Sequence, residues 1–230
     1  MSSPVWHPFT QHGLNEEIPL IVHGEGASLY ANDGSRYVDA ISSWWVTTHG
    51  HAHPRIMAAI REQTERLDQI IFAGFTHEPA EMLAHSLVEI TPGGLQHVFF
   101  SDSGSTSVEV ALKMALGYWL NNNEKRHHIV VMANSYHGDT IGAMSIGERG
   151  IYNRAYQPLL FDVDRLPFPL GDGYETIEVL EQLCAARPPA ALVVEPLILG
   201  AGGMLIYSAP VLKALREICS AHGVLFIADE

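Results

Sequence analysis

Two kinds of hydrophobic pattern alternate along the chain from residue 54 onward. At 54–70 and 77–90 the apolar residues recur at intervals of three and four, which predicts two amphipathic helices. Short apolar runs rich in Val, Ile and Phe follow, separated by helical stretches such as 106–120. The strands predicted from these runs are 97–101, 128–132, 190–195 and 223–229. This alternation is typical of an α/β domain with a mainly parallel sheet.

The first fifty residues have a different pattern. Two short β-rich stretches, 28–30 and 36–38, flank the turn sequence Asn32-Asp33-Gly34, which predicts a β-hairpin. We therefore expect a small N-terminal segment at 1–52 and a large domain at 53–230.

The chain stops directly after the last apolar run, at Asp229-Glu230, with no closing helix. Natural termini usually lie beyond the last packed element, so we expect the large domain to be incomplete and the chain to be a fragment.

Composition narrows the possible partners. The chain has 230 residues, 13 Lys+Arg and 26 Asp+Glu, and its formal charge of -13 argues against nucleic acid as a partner. The longest apolar run, 189–212, contains Glu195, Pro196 and several glycines, so we expect no membrane span. The first residues lack the features of a signal peptide, which predicts a cytoplasmic location, and two cysteines provide no disulfide framework.

A turn of small residues, Ser101–Thr106, lies between a predicted strand and a predicted helix. Such a turn gathers backbone N–H groups and hydroxyls around one point, which suits a phosphate. An ordinary Ser/Thr helix cap with a glycine turn would explain the same residues.

Two further candidates lie at or just past the C-terminal ends of predicted strands, at the edge of the sheet where open α/β sheets bind ligands. Asp229 could hold a ring nitrogen, or it could be a helix cap or a surface charge. Tyr136, within Ser135–Thr140, could stack on a flat ligand, or it could be a half-buried residue of a polar loop.

Two other motifs do not indicate a binding site. His49, His51 and His53 alternate on one segment, but no Cys or acidic ligand accompanies them and His53-Pro54 is typical of a helix start, so we expect no metal. The glycine-rich stretch 200–204 lacks the full G-x-G-x-x-G pattern of a dinucleotide loop.

Together these motifs resemble the class III aminotransferases, which are fold type I enzymes that use pyridoxal 5'-phosphate. The motifs that carry this resemblance are SDSGSTSVEVALKMA at 101–115, SYHGDT at 135–140, VVEPLILGAGGM at 193–204 and FIADE at 226–230. Three more are similar to the branch of the class that acts in biotin biosynthesis: WHPFTQ at 6–11, DAISSWWVTTHGHAHP at 39–54 and FAGFTHEPA at 72–80. The resemblance implies an α/β fold type I transferase whose cofactor domain is 53–230, while 1–52 belongs to the small domain and the substrate pocket.

The resemblance also implies a role for individual cofactor-binding residues. Gly104 and Ser105 would hold the phosphate, Tyr136 would cover the face of the ring, and Asp229 would keep the ring nitrogen protonated.

For the substrate, the resemblance implies a pocket wall at Trp44 with Phe9 and Asp139 near it. Phe9 stands where the family often has Tyr, so a hydroxyl is absent and the amino donor stays open between adenosylmethionine and another amine such as lysine.

The implied activity is amino transfer from adenosylmethionine to 8-amino-7-oxononanoate, giving 7,8-diaminononanoate, in a homodimer. The Schiff-base lysine and the substrate-carboxylate arginine of the family lie beyond Glu230, and Lys113, Lys125 and Lys213 do not occupy the place of that lysine. We therefore expect the isolated chain to be inactive. Two alternatives stay open: another class III aminotransferase, acting on an ω-amino acid or ornithine, and a noncatalytic remnant that binds cofactor.

Overall fold

The computed structural model describes residues 3–230. They form two compact units, one ending at His97 and the other beginning at Val98. The assignment of domains to 1–52 and 53–230 stays a prediction. Among the described residues, no helix combines the length and the apolar character that crossing a bilayer requires.

The first unit contains a small antiparallel sheet and two long helices. Its elements are a 3-10 turn (His12–Leu14), β1 (Ile21–Glu25), β2 (Ser28–Ala31), β3 (Arg36–Val38), α1 (Ser42–Trp45), α2 (Pro54–Arg66) and α3 (Glu78–Ile90). Strands β2 and β3 pair across a turn in which Gly34 has φ 89°, which confirms the predicted hairpin. Helices α2 and α3 confirm the two helices predicted from the 3.6-residue pattern.

The second unit contains a parallel sheet with helices on both faces. Its elements are α4 (Gly104–Asn121), β4 (Ile129–Met132), α5 (Ile141–Ile146), a 3-10 segment (Arg154–Leu159), β5 (Asp164–Leu166), α6 (Tyr174–Ala186), β6 (Ala191–Val194), β7 (Ile198–Leu199), β8 (Leu205–Ile206), α7 (Ala209–Ala221) and β9 (Leu225–Ala228). The main sheet has the order β5-β4-β6-β9, and its neighbouring strands are all parallel. Three of the four predicted strands are confirmed.

The fourth, at 97–101, is wrong, since this segment is not a strand. A strand needs a neighbour whose backbone groups complete its ladder. Within residues 3–230 the ladders of the main sheet leave this segment out, and Phe99 is 65% exposed. An apolar β-rich run therefore did not guarantee pairing.

The core of the second unit lies on both faces of the two central strands, β4 and β6, which are buried throughout. Val130 and Leu192 face one layer, with α6 and α7, while Val131 and Val193 face the other, with α4. Burial on both faces explains why these strands are continuous apolar runs in the sequence.

Both cysteines lie in this core. Cys184 on α6 and Cys219 on α7 are free thiols with no solvent exposure. Burial raises the pKa of Cys184 to about 11 and that of Cys219 to about 12. Both sulfurs are therefore protonated packing groups.

Candidate active site

The strand order gives the main sheet a switch point between β4 and β6. The chain leaves β4 for β5 on one side, whereas it leaves β6 for β9 on the other side. Ligands in open α/β sheets bind outside the carboxyl ends of the strands at such a point. Residues 133–140 follow β4, Glu195 follows β6 and Asp229 follows β9.

The start of α4 offers backbone donors to an anion. Ser103 is the N-cap: its hydroxyl accepts from Thr106 N at 3.2 Å, and Thr106 Oγ1 accepts from Ser103 N at 2.9 Å. Gly104 and Ser105 are the first two helical residues, so their N–H groups have no partner inside the helix. The helix dipole and these donors both favour negative charge. The structure confirms the helix cap at Ser103, whereas phosphate binding at Gly104 and Ser105 stays a prediction.

The loop after β4 lies directly against this helix start. Asp139 N donates to Ser105 Oγ at 3.2 Å. Gly138 has φ 118°, and a Cβ atom added to it would stand 2.0 Å from Ser105 Oγ. Glycine is required at this position because the backbone conformation and the close approach both exclude a side chain.

Tyr136 is held at its backbone and at its hydroxyl. Its N–H donates to Glu195 Oε1 at 2.9 Å, and its hydroxyl donates to Asp139 Oδ2 at 2.8 Å. Burial, followed by the hydrogen bond to Asp139, raises the pKa of Tyr136 to about 12, so the phenol keeps its proton at neutral pH. Tyr136 is 45% exposed, which leaves part of its ring open to a flat ligand.

Glu195 is a site residue that the sequence reasoning missed. Its Oε1 accepts from Tyr136 N, and its Oε2 accepts from Gly200 N at 2.8 Å. One carboxylate therefore joins the loop after β4 to the segment after β6. The available signal was its position immediately after an apolar strand, at the same edge as Tyr136 and Asp229.

His137 is a second missed residue, and it pairs with Asp229. The contact between His137 Nδ1 and Asp229 Oδ2 is 2.7 Å, and the His137 side chain has no solvent exposure. Among residues 3–230, His137 Nε2 is buried and has no hydrogen-bond partner, whereas Nδ1 lies against the Asp229 carboxylate. The geometry therefore makes Nδ1 the ring nitrogen that donates to Asp229. Asp229 retains 27% exposure and a second oxygen for a ligand.

In the first unit, Phe9 and Trp44 form a stacked pair. Their ring centroids are 5.5 Å apart with an interplanar angle of 20°. Trp44 belongs to α1, a single turn in which Ser42, Ser43, Trp44 and Trp45 all have φ between 48° and 67°. This left-handed conformation costs an L-residue about 1–2 kcal/mol. The turn leaves both tryptophans more than half exposed.

Asp39 lies beside this turn. Its carboxylate accepts from Ser43 N at 2.9 Å, from Ser43 Oγ at 2.8 Å and from His51 Nε2 at 2.7 Å, and its side chain is 6% exposed. His51 thus bonds a carboxylate, while His49 and His53 meet edge to face at 6.3 Å. Within residues 3–230, no three His, Cys, Asp or Glu side chains converge as metal ligands would.

Asp39 should make stability depend on pH. The hydrogen bonds from Ser43 and then from His51 lower its pKa from 3.8 to about 2. Since the folded-state pKa is depressed, this stabilisation is complete above about pH 4 and is lost as the pH falls toward 2. We expect Asp39→Asn to be less stable than wild type near pH 7 in urea unfolding, with the difference shrinking toward pH 2. A difference of constant size down to pH 2 would contradict the assignment.

An open parallel sheet with a helix start beside its carboxyl edge places the second unit among the ligand-binding α/β folds. Comparison with known sequences identifies the family. A family model described as Aminotransferase class-III matches residues 11–230. The chain belongs to the class III aminotransferases, as its motifs predict.

Curated relatives share this sequence over nearly its whole length. The adenosylmethionine-8-amino-7-oxononanoate aminotransferase of Synechococcus elongatus is 48% identical over 235 residues, which cover 98% of this chain and 55% of the relative. The enzyme of the same name from Geobacter sulfurreducens is 38% identical over 243 residues, covering 98% and 54%. The chain spans about half the length of the curated relatives it matches.

Solved structures of aminotransferases also match this chain. The adenosylmethionine-8-amino-7-oxononanoate aminotransferase of Methanocaldococcus jannaschii matches with a TM-score of 0.91 and 33% identity, over 99% of this chain and 52% of that one. An amine transaminase from an uncultivated Pseudomonas species, solved in a PLP-bound form, matches with a TM-score of 0.88 and 31% identity, over 100% and 56%. These matches confirm the predicted α/β fold type I transferase with a mainly parallel sheet.

Proposed function

We propose that this chain supplies the N-terminal half of a pyridoxal-phosphate-dependent aminotransferase of biotin biosynthesis. The reaction converts 8-amino-7-oxononanoate to 7,8-diaminononanoate, with adenosylmethionine as amino donor. The observation that carries the proposal is the pairing of Asp229 with buried His137 at the sheet edge that also receives the start of α4. The names of the relatives from Synechococcus elongatus and Geobacter sulfurreducens support the choice of substrates.

The backbone and side-chain groups at this edge are of the kinds that pyridoxal phosphate requires. The N–H groups of Gly104 and Ser105 suit its phosphate, the open part of the Tyr136 ring suits its pyridine face, and the second oxygen of Asp229 suits a protonated ring nitrogen. When bound, the cofactor supplies an electron-accepting ring for breaking the substrate Cα–H bond.

The residues of this chain bind and orient the cofactor in that chemistry. Asp229 holds a proton at the ring nitrogen, and His137 fixes the carboxylate by donating from Nδ1. Glu195 fixes the backbone of Tyr136, while Asp139 fixes its hydroxyl. Asp139 therefore acts through Tyr136 as well as in the substrate pocket that the family resemblance implies.

For the substrate, we propose the stacked pair of Phe9 and Trp44 as a pocket wall. Residues 1–52 then belong to the small domain and 53–230 to the cofactor domain. We further propose that the whole protein is a cytoplasmic homodimer and that the 230-residue chain by itself transfers no amino group.

The amino donor decides between this function and another class III activity. We would bind pyridoxal phosphate to the whole protein that contains this chain and follow the cofactor absorbance after adding adenosylmethionine, lysine, ornithine or an ω-amino acid. Conversion with adenosylmethionine, followed by amination of 8-amino-7-oxononanoate, is the expected result. Conversion only with ornithine or an ω-amino acid would replace the proposed substrates, and no conversion with any donor would favour a noncatalytic cofactor-binding protein.

Tyr136→Ala in the whole protein should weaken cofactor binding by about 1 kcal/mol, the size of an aromatic stacking contact. Tyr136→Phe is the matched variant, because it keeps the ring and removes only the hydroxyl bond to Asp139. Fluorescence titration with pyridoxal phosphate measures both affinities. An unchanged affinity in Tyr136→Ala would make Tyr136 a packing residue of the loop.

A further inference from the structure

We propose that Asp39 is a positioning residue for the substrate wall: it holds Ser42–Trp45 in its left-handed turn and thereby sets the Trp44–Phe9 pair. The substrate side of this inference rests on the proposed function. The structural side rests on contacts within the first unit alone.

The left-handed turn is not explained by its own hydrogen bonds. Trp45 N donates to Ile41 O at 2.8 Å and Val46 N donates to Ser42 O at 3.0 Å. A right-handed turn makes bonds of the same kind without the steric penalty that L-residues meet at positive φ. The hand of the turn must therefore be set by a contact from outside it.

Asp39 provides that contact through Ser43. Both the backbone N–H and the hydroxyl of Ser43 donate to this one carboxylate, at 2.9 and 2.8 Å. Reversing the hand of the turn would redirect the N–H of Ser43 and leave a nearly buried carboxylate short of donors. Two charge-assisted hydrogen bonds are the kind of interaction that can maintain an unfavourable backbone conformation.

His51 holds Asp39 in place, and the end of β1 with its turn into β2 holds His51. His51 forms a two-bond bridge with Gly26, at 2.8 Å through its N–H and 3.1 Å through its carbonyl. The backbones are close here: a Cβ atom on Gly24 would stand 3.0 Å from His51 Cβ, and one on Gly50 would stand 3.0 Å from Gly26 Cα. The imidazole therefore reaches Asp39 from a segment with little freedom to move.

The left-handed turn places the Trp44 ring against the Phe9 ring. Trp44 is 61% exposed and Phe9 is 84% exposed, so neither ring is held in place by burial. Their stacking is set by the backbone that carries them. Loss of the contact from Asp39 should release the turn, separate the two rings and enlarge the range of positions that the wall adopts.

The test measures the turn and the reaction separately in the whole protein. With 5-fluorotryptophan incorporated, the ¹⁹F resonances of Trp6, Trp44, Trp45 and Trp119 are assigned by single Trp→Phe variants. Asp39→Asn should shift or broaden the Trp44 and Trp45 resonances and leave that of Trp119, which is buried in the second unit, unchanged. The KM for 8-amino-7-oxononanoate should rise about tenfold while kcat changes little, since stacking acts in binding.

Asp33→Asn is the matched control. Asp33 also accepts from a serine N–H and hydroxyl, those of Ser35, but in a hairpin turn with no tryptophan. Asp33→Asn should leave the four tryptophan ¹⁹F resonances and the KM for 8-amino-7-oxononanoate unchanged. If Asp39→Asn also alters the Trp119 resonance, the substitution has disturbed folding. Ser43→Ala, which removes one of the two hydrogen bonds to Asp39, then tests the proposal instead. It should cause a smaller shift that is confined to the Trp44 and Trp45 resonances.

Unchanged Trp44 and Trp45 resonances in Asp39→Asn and Ser43→Ala would overturn the role of Asp39. Shifted resonances with an unchanged KM would also overturn the proposal, since the turn would then not position a substrate wall. If the wild-type protein aminates no 8-amino-7-oxononanoate, the proposed function fails, whereas the resonances still report whether Asp39 holds the turn.

Discussion

Asp229→Asn in the whole protein is expected to lower the rate of amino transfer about a hundredfold or more while cofactor stays bound. An amide cannot hold a positive charge at the ring nitrogen as a carboxylate does, so the ring accepts electrons less readily when the substrate Cα–H bond breaks. The amide oxygen can still accept from His137 Nδ1, and the phosphate donors at Gly104 and Ser105 are untouched. Single-turnover kinetics and cofactor titration measure the two effects separately.

Asp172→Asn is the control for this variant. Asp172 lies in the same unit, where it accepts from Tyr174 N at 3.1 Å before α6, in the loop after the outer strand β5 and not at the switch point between β4 and β6. It should leave the rate of amino transfer unchanged. Near wild-type turnover in Asp229→Asn would remove Asp229 from the proposed mechanism.

Gly138→Ala should weaken cofactor binding about a hundredfold or more and also destabilise the second unit. A methyl group at this position meets Ser105 Oγ at 2.0 Å and Ser105 Cα at 3.0 Å, and the backbone φ of 118° is strained for alanine. The loop must move away from the start of α4, so the donors for the phosphate and the ring of Tyr136 lose their alignment. Equilibrium dialysis with pyridoxal phosphate and urea unfolding measure the two losses.

Gly117→Ala is the matched substitution within α4. Apart from the backbone of α4 itself, no atom of residues 3–230 lies within 4 Å of its added Cβ. Alanine also favours a helix, so stability should be equal or slightly greater and cofactor affinity unchanged. If Gly138→Ala bound cofactor as tightly as Gly117→Ala does, the close approach of the loop to Ser105 would be irrelevant to the site.

Features set by neighbouring residues were predictable from the sequence. The start of α4 depends on Ser103 and Thr106, three positions apart, and the hairpin depends on a turn that contains Gly34. The apolar runs that became β4 and β6 were recognisable because burial on both faces leaves no polar position in a strand.

Features set by distant partners were not predictable. The orientation of His137 depends on Asp229, 92 positions later, and Glu195 reaches back 59 positions to Tyr136 N. The segment 97–101 has the composition of a strand, but composition does not specify a neighbour. The turn at Ser42–Trp45 opposes local preference, because serine and tryptophan rarely adopt positive φ.

The two buried cysteines can serve as reporters of local opening in the second unit. A reagent that attacks thiolates reaches neither sulfur while α6 and α7 cover the sheet, because burial keeps both thiols protonated as well as inaccessible. Alkylation can proceed only during the moments when a helix lifts from the strands. The rate at which thiols disappear under native conditions, divided by the rate for an exposed thiol, then reports how much of the time the layer that supports the carboxyl edge of the sheet is locally open.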